Sequence, residues 1–381
     1  MDVLEHRGAT IAYRVDGPTG APVLLLANSL GTTTAVWDDL VPALSQRFRV
    51  VRYDHRGHGG SLATPGPYEI ELLGGDALAV LDHLGVEAAS ICRLSIGGAV
   101  AMWVAAQHPA RVEGLVVCCA AARFGSPGDW TERARFVREH GPTVLLDTLV
   151  QRWFSPAFAG LDAARRRVEA MLETVDAEGY AGCCEALGTM DLAGELARIA
   201  APTLVVAGAL DPAVPTAAAL ELATAVSGST LLVLADTAHL AAVEQPVRLT
   251  EAVLGHLCGP AAERGELVRR RVLGDDHVER SRAAQEATTA GFVDLVTRMA
   301  WGEIWTRPGL DARTRSCVTV AMLVALGRFE ELELHLAGAR RNGVTRDELV
   351  EVLLQSALYC GFPAANRAFA LARTVLGDDD A

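Results

Sequence analysis

The chain has 381 residues, 50% of them hydrophobic, enough to bury the cores of two or three domains. A formal charge of -13 argues against nucleic acid or an anionic membrane as the main partner. The start, MDVLEHRGATIAYRVDG, lacks a signal-peptide pattern and no run of about 18 uninterrupted apolar residues occurs, so a cytoplasmic protein without a membrane span is expected.

In the first two-thirds, short apolar runs alternate with amphipathic stretches. APVLLLA (21–27), RVVRYD (49–54), AASIC (88–92), GLVVCC (114–119), PTLVVAG (202–208) and STLLVLA (229–235) read as strands. They are apolar throughout, as strands buried on both faces are. Their alternation with helical segments predicts an α/β fold with a mostly parallel sheet. From about Phe124 to Ala197 only helical pattern remains, which predicts a helical cap over 124–197. Gly, Pro and charge at 258–266 read as a linker between a domain over 1–257 and an all-α domain over 267–381. In the latter, Asp311 is an N-cap candidate and Thr345-x-x-Glu348 a capping box. The eight cysteines include two adjacent pairs but no C-x-x-C, and read as buried free thiols.

SICRLSIGG (90–98) places Ser95 between a strand and a helix, the context of a nucleophile elbow. The usual pattern is G-x-S-x-G; Arg93 stands at the first glycine and is expected to crowd the turn. A serine hydroxyl needs a base. In the chain order serine, acid, histidine, Asp211 and His239 each follow a predicted strand, where open α/β sheets place their sites. His239 would take the serine proton and Asp211 would fix the imidazole tautomer. The backbone N–H groups of Ile96 and of Leu30, in the NSLG loop, are the oxyanion-hole candidates.

LLANSLGTTTAVWD, VVRYDHRGHGGS, LSIGGAVAMWVAAQHP, VVAGALDPAVP and AHLAAVEQP together resemble an α/β hydrolase, nearest to the 3-oxoadipate enol-lactonases. That resemblance spans about residues 1–257 and implies a helical cap and hydrolysis of a lactone.

In the helical domain, Glu331 and His335 lie four apart on one helix face. A carboxylate there can orient an imidazole for proton transfer, or the two can be a surface ion pair. No further cluster supports a metal. RRRVLGDDHVERS, AWGEIWTRPGLDARTRS and HLAGARRNGVTRDELVEVLLQSALYCGFPAAN resemble the 4-carboxymuconolactone decarboxylases. The broader superfamily often carries a C-x-x-C pair near this histidine; here Arg328 and Glu331 stand at the matching places, so the resemblance implies acid/base rather than thiol chemistry. Arg315, Arg340, Glu303, Trp301, Tyr359 and Asn366 lie within the matching stretches and are lesser substrate-binding candidates. The arginines could equally be surface charges, the two aromatics core, and Glu303 a structural partner.

Together the resemblances imply two consecutive steps of aromatic catabolism on one chain, the protocatechuate branch of the 3-oxoadipate pathway. A decarboxylation would make the enol-lactone and a hydrolysis would open it, on small-molecule lactones and without a cofactor. The helical domain is expected to mediate homo-oligomerisation. The alternative is a broad serine esterase or lactonase whose helical domain only oligomerises.

Overall fold

The computed structural model describes residues 1–259, 261–306 and 310–377. Two compact units are formed, Met1–Leu257 and Cys258–Ala381.

The first unit is built on an eight-stranded sheet of order β1-β2-β4-β3-β5-β6-β7-β8. Its strands are β1 (Asp2–His6), β2 (Ala9–Asp16), β3 (Val23–Ala27), β4 (Arg49–Tyr53), β5 (Ala89–Leu94), β6 (Val112–Cys118), β7 (Thr203–Gly208) and β8 (Thr230–Leu234). β3 to β8 run parallel, and β1 and β2 form an antiparallel hairpin at one edge. The six runs read as strands correspond to β3–β8. Every residue of β5 and of β7 is buried, which explains why their sequences do not alternate apolar with polar. The hairpin was not among the expected elements. It turns at Arg7 and Gly8, both with positive φ (45° and 78°), the primed-turn geometry that a right-twisted hairpin requires.

No strand falls between Phe124 and Ala197. Helices Pro127–His140, Leu146–Trp153, Leu161–Leu172 and Ala177–Thr189 occupy this stretch. The cap meets the sheet domain backbone to backbone: a Cβ added at Gly57 would lie 2.4 Å from the Gly179 Cα. Beside it the Asp176 N–H donates to the Gly57 carbonyl at 2.8 Å.

The second unit is helical: Ala261–Leu273, Asp275–Ala283, Ala287–Val296, a π-helical stretch Thr297–Ile304, then Ala312–Ala325, Phe329–Arg341, Arg346–Cys360 and Phe362–Leu376. Asp311 caps its helix by accepting the Thr314 N–H at 2.6 Å, and Thr345 and Glu348 form the capping box. The stretch read as a linker at 258–266 is mostly helix, since Ala261 opens a helix of 13 residues. Gly265 there is a packing residue: its Cβ would lie 2.0 Å from the Thr297 carbonyl oxygen, and one on Gly302 2.0 Å from that of Ala261. Small residues let these two helix backbones touch, and the same glycine reads as a breaker in sequence. Cys92, Cys118, Cys119, Cys183 and Cys184 are buried free thiols, but Cys360 is exposed. Among the described residues no helix is long and apolar enough to cross a membrane.

Candidate active sites

Ser95 sits between β5 and the helix Ile96–Gln107 with φ 57° and ψ −119°, a strained conformation that lifts its side chain out of the turn. The Ser95 N–H is held by the Cys118 carbonyl at 2.9 Å. The two glycines that follow allow close packing. A Cβ on Gly97 would lie 2.8 Å from the Asn28 carbonyl oxygen, and one on Gly98 2.6 Å from the Ala120 Cβ. Arg93 does not crowd this turn as expected. Its side chain is fully buried, Nη1 donates to the Tyr53 hydroxyl at 3.0 Å, and the guanidinium carbon lies 5.2 Å from the Tyr53 ring centroid. Nε and Nη2 of Arg93 are buried without a hydrogen-bond partner.

Asp211 and His239 follow β7 and β8. His239 Nδ1 bonds Asp211 Oδ2 at 2.7 Å, while Asp211 Oδ1 accepts the N–H groups of Ala213 (2.8 Å) and Val214 (3.0 Å). With Nδ1 donating, Nε2 is left as the basic nitrogen. The His239 loop is tied to the cap: its N–H donates to the Trp153 carbonyl at 3.1 Å. Buried Glu244 accepts from the Ala238 N–H at 2.8 Å and from the N–H and hydroxyl of Ser155. The Cys119 sulfur, an Asp211 oxygen and a His239 nitrogen lie within 4.8 Å of one another, types that could hold a cation. Burial and the Asp211 charge push the Cys119 thiol well above its ordinary range, its Sγ faces the Ala238 carbonyl at 3.9 Å, and His239 Nδ1 is committed to Asp211.

Ser95, His239, Ser29 and Leu30 line one cavity of about 180 Å³ with cap residues Phe124, Trp130, Arg133, Leu149, Arg152, Trp153 and Leu187. Among the described residues, neither the Leu30 nor the Ile96 amide donates to a protein acceptor. The Leu30 loop rests on two buried histidines. His55 Nε2 bonds the Asn28 carbonyl at 3.2 Å, and the Gly31 N–H donates to His58 Nε2 at 3.1 Å. Burial lowers their pKa values to about 3 and about 4, which keeps both rings neutral.

In the helical unit, His335 packs beside a pair of indoles, Trp301 and Trp305, whose own centroids lie 5.1 Å apart. Its ring lies 6.1 Å from Trp301 at 8° and 6.1 Å from Trp305 at 25°. Burial lowers its pKa; the Glu331 charge raises it and His277 lowers it. Glu331 is exposed and, among the described residues, makes neither a hydrogen bond nor an ion pair with His335. Its influence is through charge alone.

Residues 22–246 match the family model of the alpha/beta hydrolase fold. The chain belongs to the alpha/beta hydrolase fold family. Residues 290–374 match a second model, the carboxymuconolactone decarboxylase family, so the chain is a fusion of the two. The hydrolase part is 38% identical over 255 residues to 3-oxoadipate enol-lactonase 2 of Acinetobacter baylyi, covering 66% of this chain and 94% of that one. The helical part is 47% identical over 116 residues to 4-carboxymuconolactone decarboxylase of the same organism, covering 30% of this chain and 87% of that one. A crystal structure of the enol-lactonase from Burkholderia xenovorans LB400 superposes with TM-score 0.66 at 38% identity, over 68% of this chain and all of that one (100%).

The alpha/beta hydrolase part thus brings Ser95, Asp211, His239, Leu30 and Ile96 to one end of the sheet. Among the described residues, the decarboxylase-like part brings the lesser candidate Trp301 beside His335. Glu303 is exposed and pairs with Arg264 at 3.3 Å; Arg340, also exposed, donates to the Val344 carbonyl at 3.1 Å. Tyr359 is 77% exposed, not core, and Asn366 is exposed. Arg315 is half-buried on the helix Ala312–Ala325. Sequence reasoning missed Trp305, His277, Glu244 and the cap arginines. Trp305 had a signal, its spacing of four from Trp301. Glu244 and the cap arginines had none, because tertiary packing alone places them.

Proposed function

We propose that the chain is a bifunctional enzyme of the 3-oxoadipate pathway: it decarboxylates 4-carboxymuconolactone to 3-oxoadipate enol-lactone and hydrolyses that to 3-oxoadipate. One observation carries the reading: a single chain joins a cavity holding Ser95 and the Asp211–His239 pair to a helical unit akin to 4-carboxymuconolactone decarboxylase. The product of the one reaction is the substrate of the other.

In the helical unit, the bond from the ring γ-carbon to the leaving carboxylate breaks and CO2 departs. The electron pair passes through the ring C=C into the lactone carbonyl, giving a 2-oxyfuran-like enolate. His335 delivers a proton to the α-carbon, leaving the double bond β,γ in the enol-lactone. Trp301 and Trp305 hold the imidazole in place. Glu331 biases its charge.

In the hydrolase, His239 Nε2 takes the Ser95 proton as Oγ attacks the lactone carbonyl. The Leu30 and Ile96 amides bind the oxyanion, and Asp211 stabilises the imidazolium. The ring C–O bond breaks with an enolate as leaving group, which His239 protonates and which tautomerises to the ketone. Water deprotonated by His239 then releases the acyl group from Ser95.

The protein is assigned to the cytoplasm and to a homo-oligomer assembled through the helical unit. Leu326, Leu358, Tyr359 and Phe362 of that unit, each more than 70% exposed at 71%, 73%, 77% and 72%, support self-association.

The test supplies 4-carboxymuconolactone and follows CO2 and 3-oxoadipate together. Wild type should yield both, and Ser95→Ala should release CO2 while enol-lactone accumulates. Loss of both activities in a folded Ser95→Ala protein would overturn the two-site reading.

A further inference from the structure

Two arginines of the cap, Arg133 and Arg152, line the same cavity as Ser95 and His239. Arg133 is fixed in place. One of its Nη groups donates to the Tyr180 hydroxyl, and its guanidinium carbon lies 5.4 Å from the Trp130 ring and 5.5 Å from the Tyr180 ring. Its Nε is buried and has no partner. Tyr180 in turn stacks on His58, 6.4 Å away at 19°, and His58 holds the Gly31 amide of the loop that carries Leu30. The arginine is therefore joined through a short chain of rings to the candidate oxyanion loop.

Neither Arg133 nor Arg152 makes an ion pair among the described residues. This is notable in a chain with 47 acidic residues against 34 basic ones. Neighbouring arginines of the cap region do find carboxylates: Arg123 with Asp191, Arg138 with Glu178 and Glu185, Arg165 with Asp147, Arg167 with Asp39. Arg135 and Arg166 also make no ion pair among the described residues and are exposed, as Arg152 is, but they lie outside this cavity. The cavity's own acid is Asp129, exposed on the cap helix; against it stand two guanidinium groups, so the lining is net cationic. Phe124, Trp130, Leu149, Trp153 and Leu187 supply apolar wall, which strengthens any charge pairing made inside.

We propose that Arg133 and Arg152 form a carboxylate subsite, so that the hydrolase selects lactones bearing a free carboxylate over neutral lactones and esters. This rests on the hydrolase reading given above. The enol-lactone of a keto-dicarboxylic acid keeps one carboxylate, because only the other is consumed as the lactone acyl group. A guanidinium fork binds that group through paired N–H bonds and fixes the remainder of a small ligand. Binding energy gained at the carboxylate end then orients the lactone carbonyl over Ser95, remote from the bond that breaks.

The test measures kcat/KM of wild type, Arg133→Met, Arg152→Met and the double variant on two substrates, the carboxylate-bearing enol-lactone and neutral 4-nitrophenyl acetate. The readout is the ratio of the two constants, since a general loss of cap structure lowers both and leaves the ratio unchanged. Each substitution should lower the ratio by about 10–100-fold, the range for a hydrogen bond to a charged group. Lysine variants should recover part of it. An unchanged ratio in folded variants, whether or not both rates fall, overturns the subsite while leaving the hydrolase reading standing. A wild type that hydrolyses neither compound overturns the hydrolase reading and the subsite with it.

Discussion

Arg93 and Tyr53 form a buried pair two residues upstream of the elbow serine: Nη1 meets the phenol oxygen at 3.0 Å and the guanidinium faces the ring at 5.2 Å. No carboxylate balances the charge within ion-pair distance among the described residues. Burial lowers the Arg93 pKa and raises that of Tyr53 to about 12, so the pair is a cation beside a neutral phenol. The long side chain leaves the elbow by crossing the face of the sheet, which is why the turn at Ser95 keeps its geometry.

Arg93→Met should therefore stabilise the protein. It removes a buried charge and two unpartnered N–H groups while keeping most of the volume, a change worth about 1–3 kcal/mol. Arg93→Gly restores the usual elbow letter but empties the space, and should cost about 2–4 kcal/mol instead. Urea denaturation of the three proteins checks the order Met, wild type, Gly. A glycine variant more stable than wild type would show that crowding at the elbow, and not burial of the guanidinium, dominates.

Gly97→Ala should lower stability and lactonase turnover together. In an ordinary helix this change gains about 1 kcal/mol. Here the new Cβ would lie 2.8 Å from the Asn28 oxygen and 2.9 Å from the Ala27 oxygen, both backbone atoms leading into the Leu30 loop. Displacing that loop by a fraction of an ångström should reduce kcat by about 10–100-fold. CO2 release by the other unit serves as the internal control. A variant with higher Tm and full lactonase activity would refute the argument.

His335→Ala should cut decarboxylation by about 10²–10⁴-fold, the usual contribution of a positioned general acid. Hydrolysis of supplied enol-lactone should persist. Burial, to which the neighbouring Trp301 and Trp305 contribute, lowers the His335 pKa, so the limb of the decarboxylation pH profile should sit below 6.5. Glu331 acts in the opposite direction, and Glu331→Gln should move the limb further down. A profile indifferent to both substitutions would return the histidine to a packing role.

Acid should unfold the hydrolase unit through His55 and His58. Their folded pKa values, about 3 and about 4, lie below the unfolded value of 6.5. The unfolded chain then binds more protons between those values, so their contribution is intact above pH 6.5 and is lost as pH falls. From pH 6.5 to 5 the two should cost about 3 kcal/mol together. Asp54, whose carboxyl burial raises, works in the opposite sense nearer the carboxylate range. Thermal melts of wild type and His58→Gln across this window should differ in slope, with the variant flatter. Parallel slopes would remove His58 from the account.

The parallel strands, the cap segment and the order of Ser95, Asp211 and His239 were legible because double-sided burial and chain order leave local marks. The β1–β2 hairpin was not, since it is short and turns on Arg7-Gly8 rather than on an Asn-Gly pair. Gly265 was misread as a breaker because nothing local distinguishes a loop glycine from one pressed against the Thr297 backbone. The second indole at His335 did carry a mark, four residues after Trp301, but Trp301 lies within the π-helical stretch Thr297–Ile304 and Trp305 just past its end, where the usual helical phase no longer applies. Arg133 and Arg152 carry no motif, and only the folded cap brings them to Ser95.

The two compact units share one backbone, and this fixes their molar ratio at unity whatever the expression level. Under subsaturating supply, each step runs at the same enzyme concentration, so that concentration cancels when the two fluxes are equated. The standing level of enol-lactone relative to its precursor then depends only on the quotient of the two kcat/KM values. A cell making ten times more of the protein would process ten times more substrate without raising the pool of reactive intermediate, a property that two separately regulated enzymes lack.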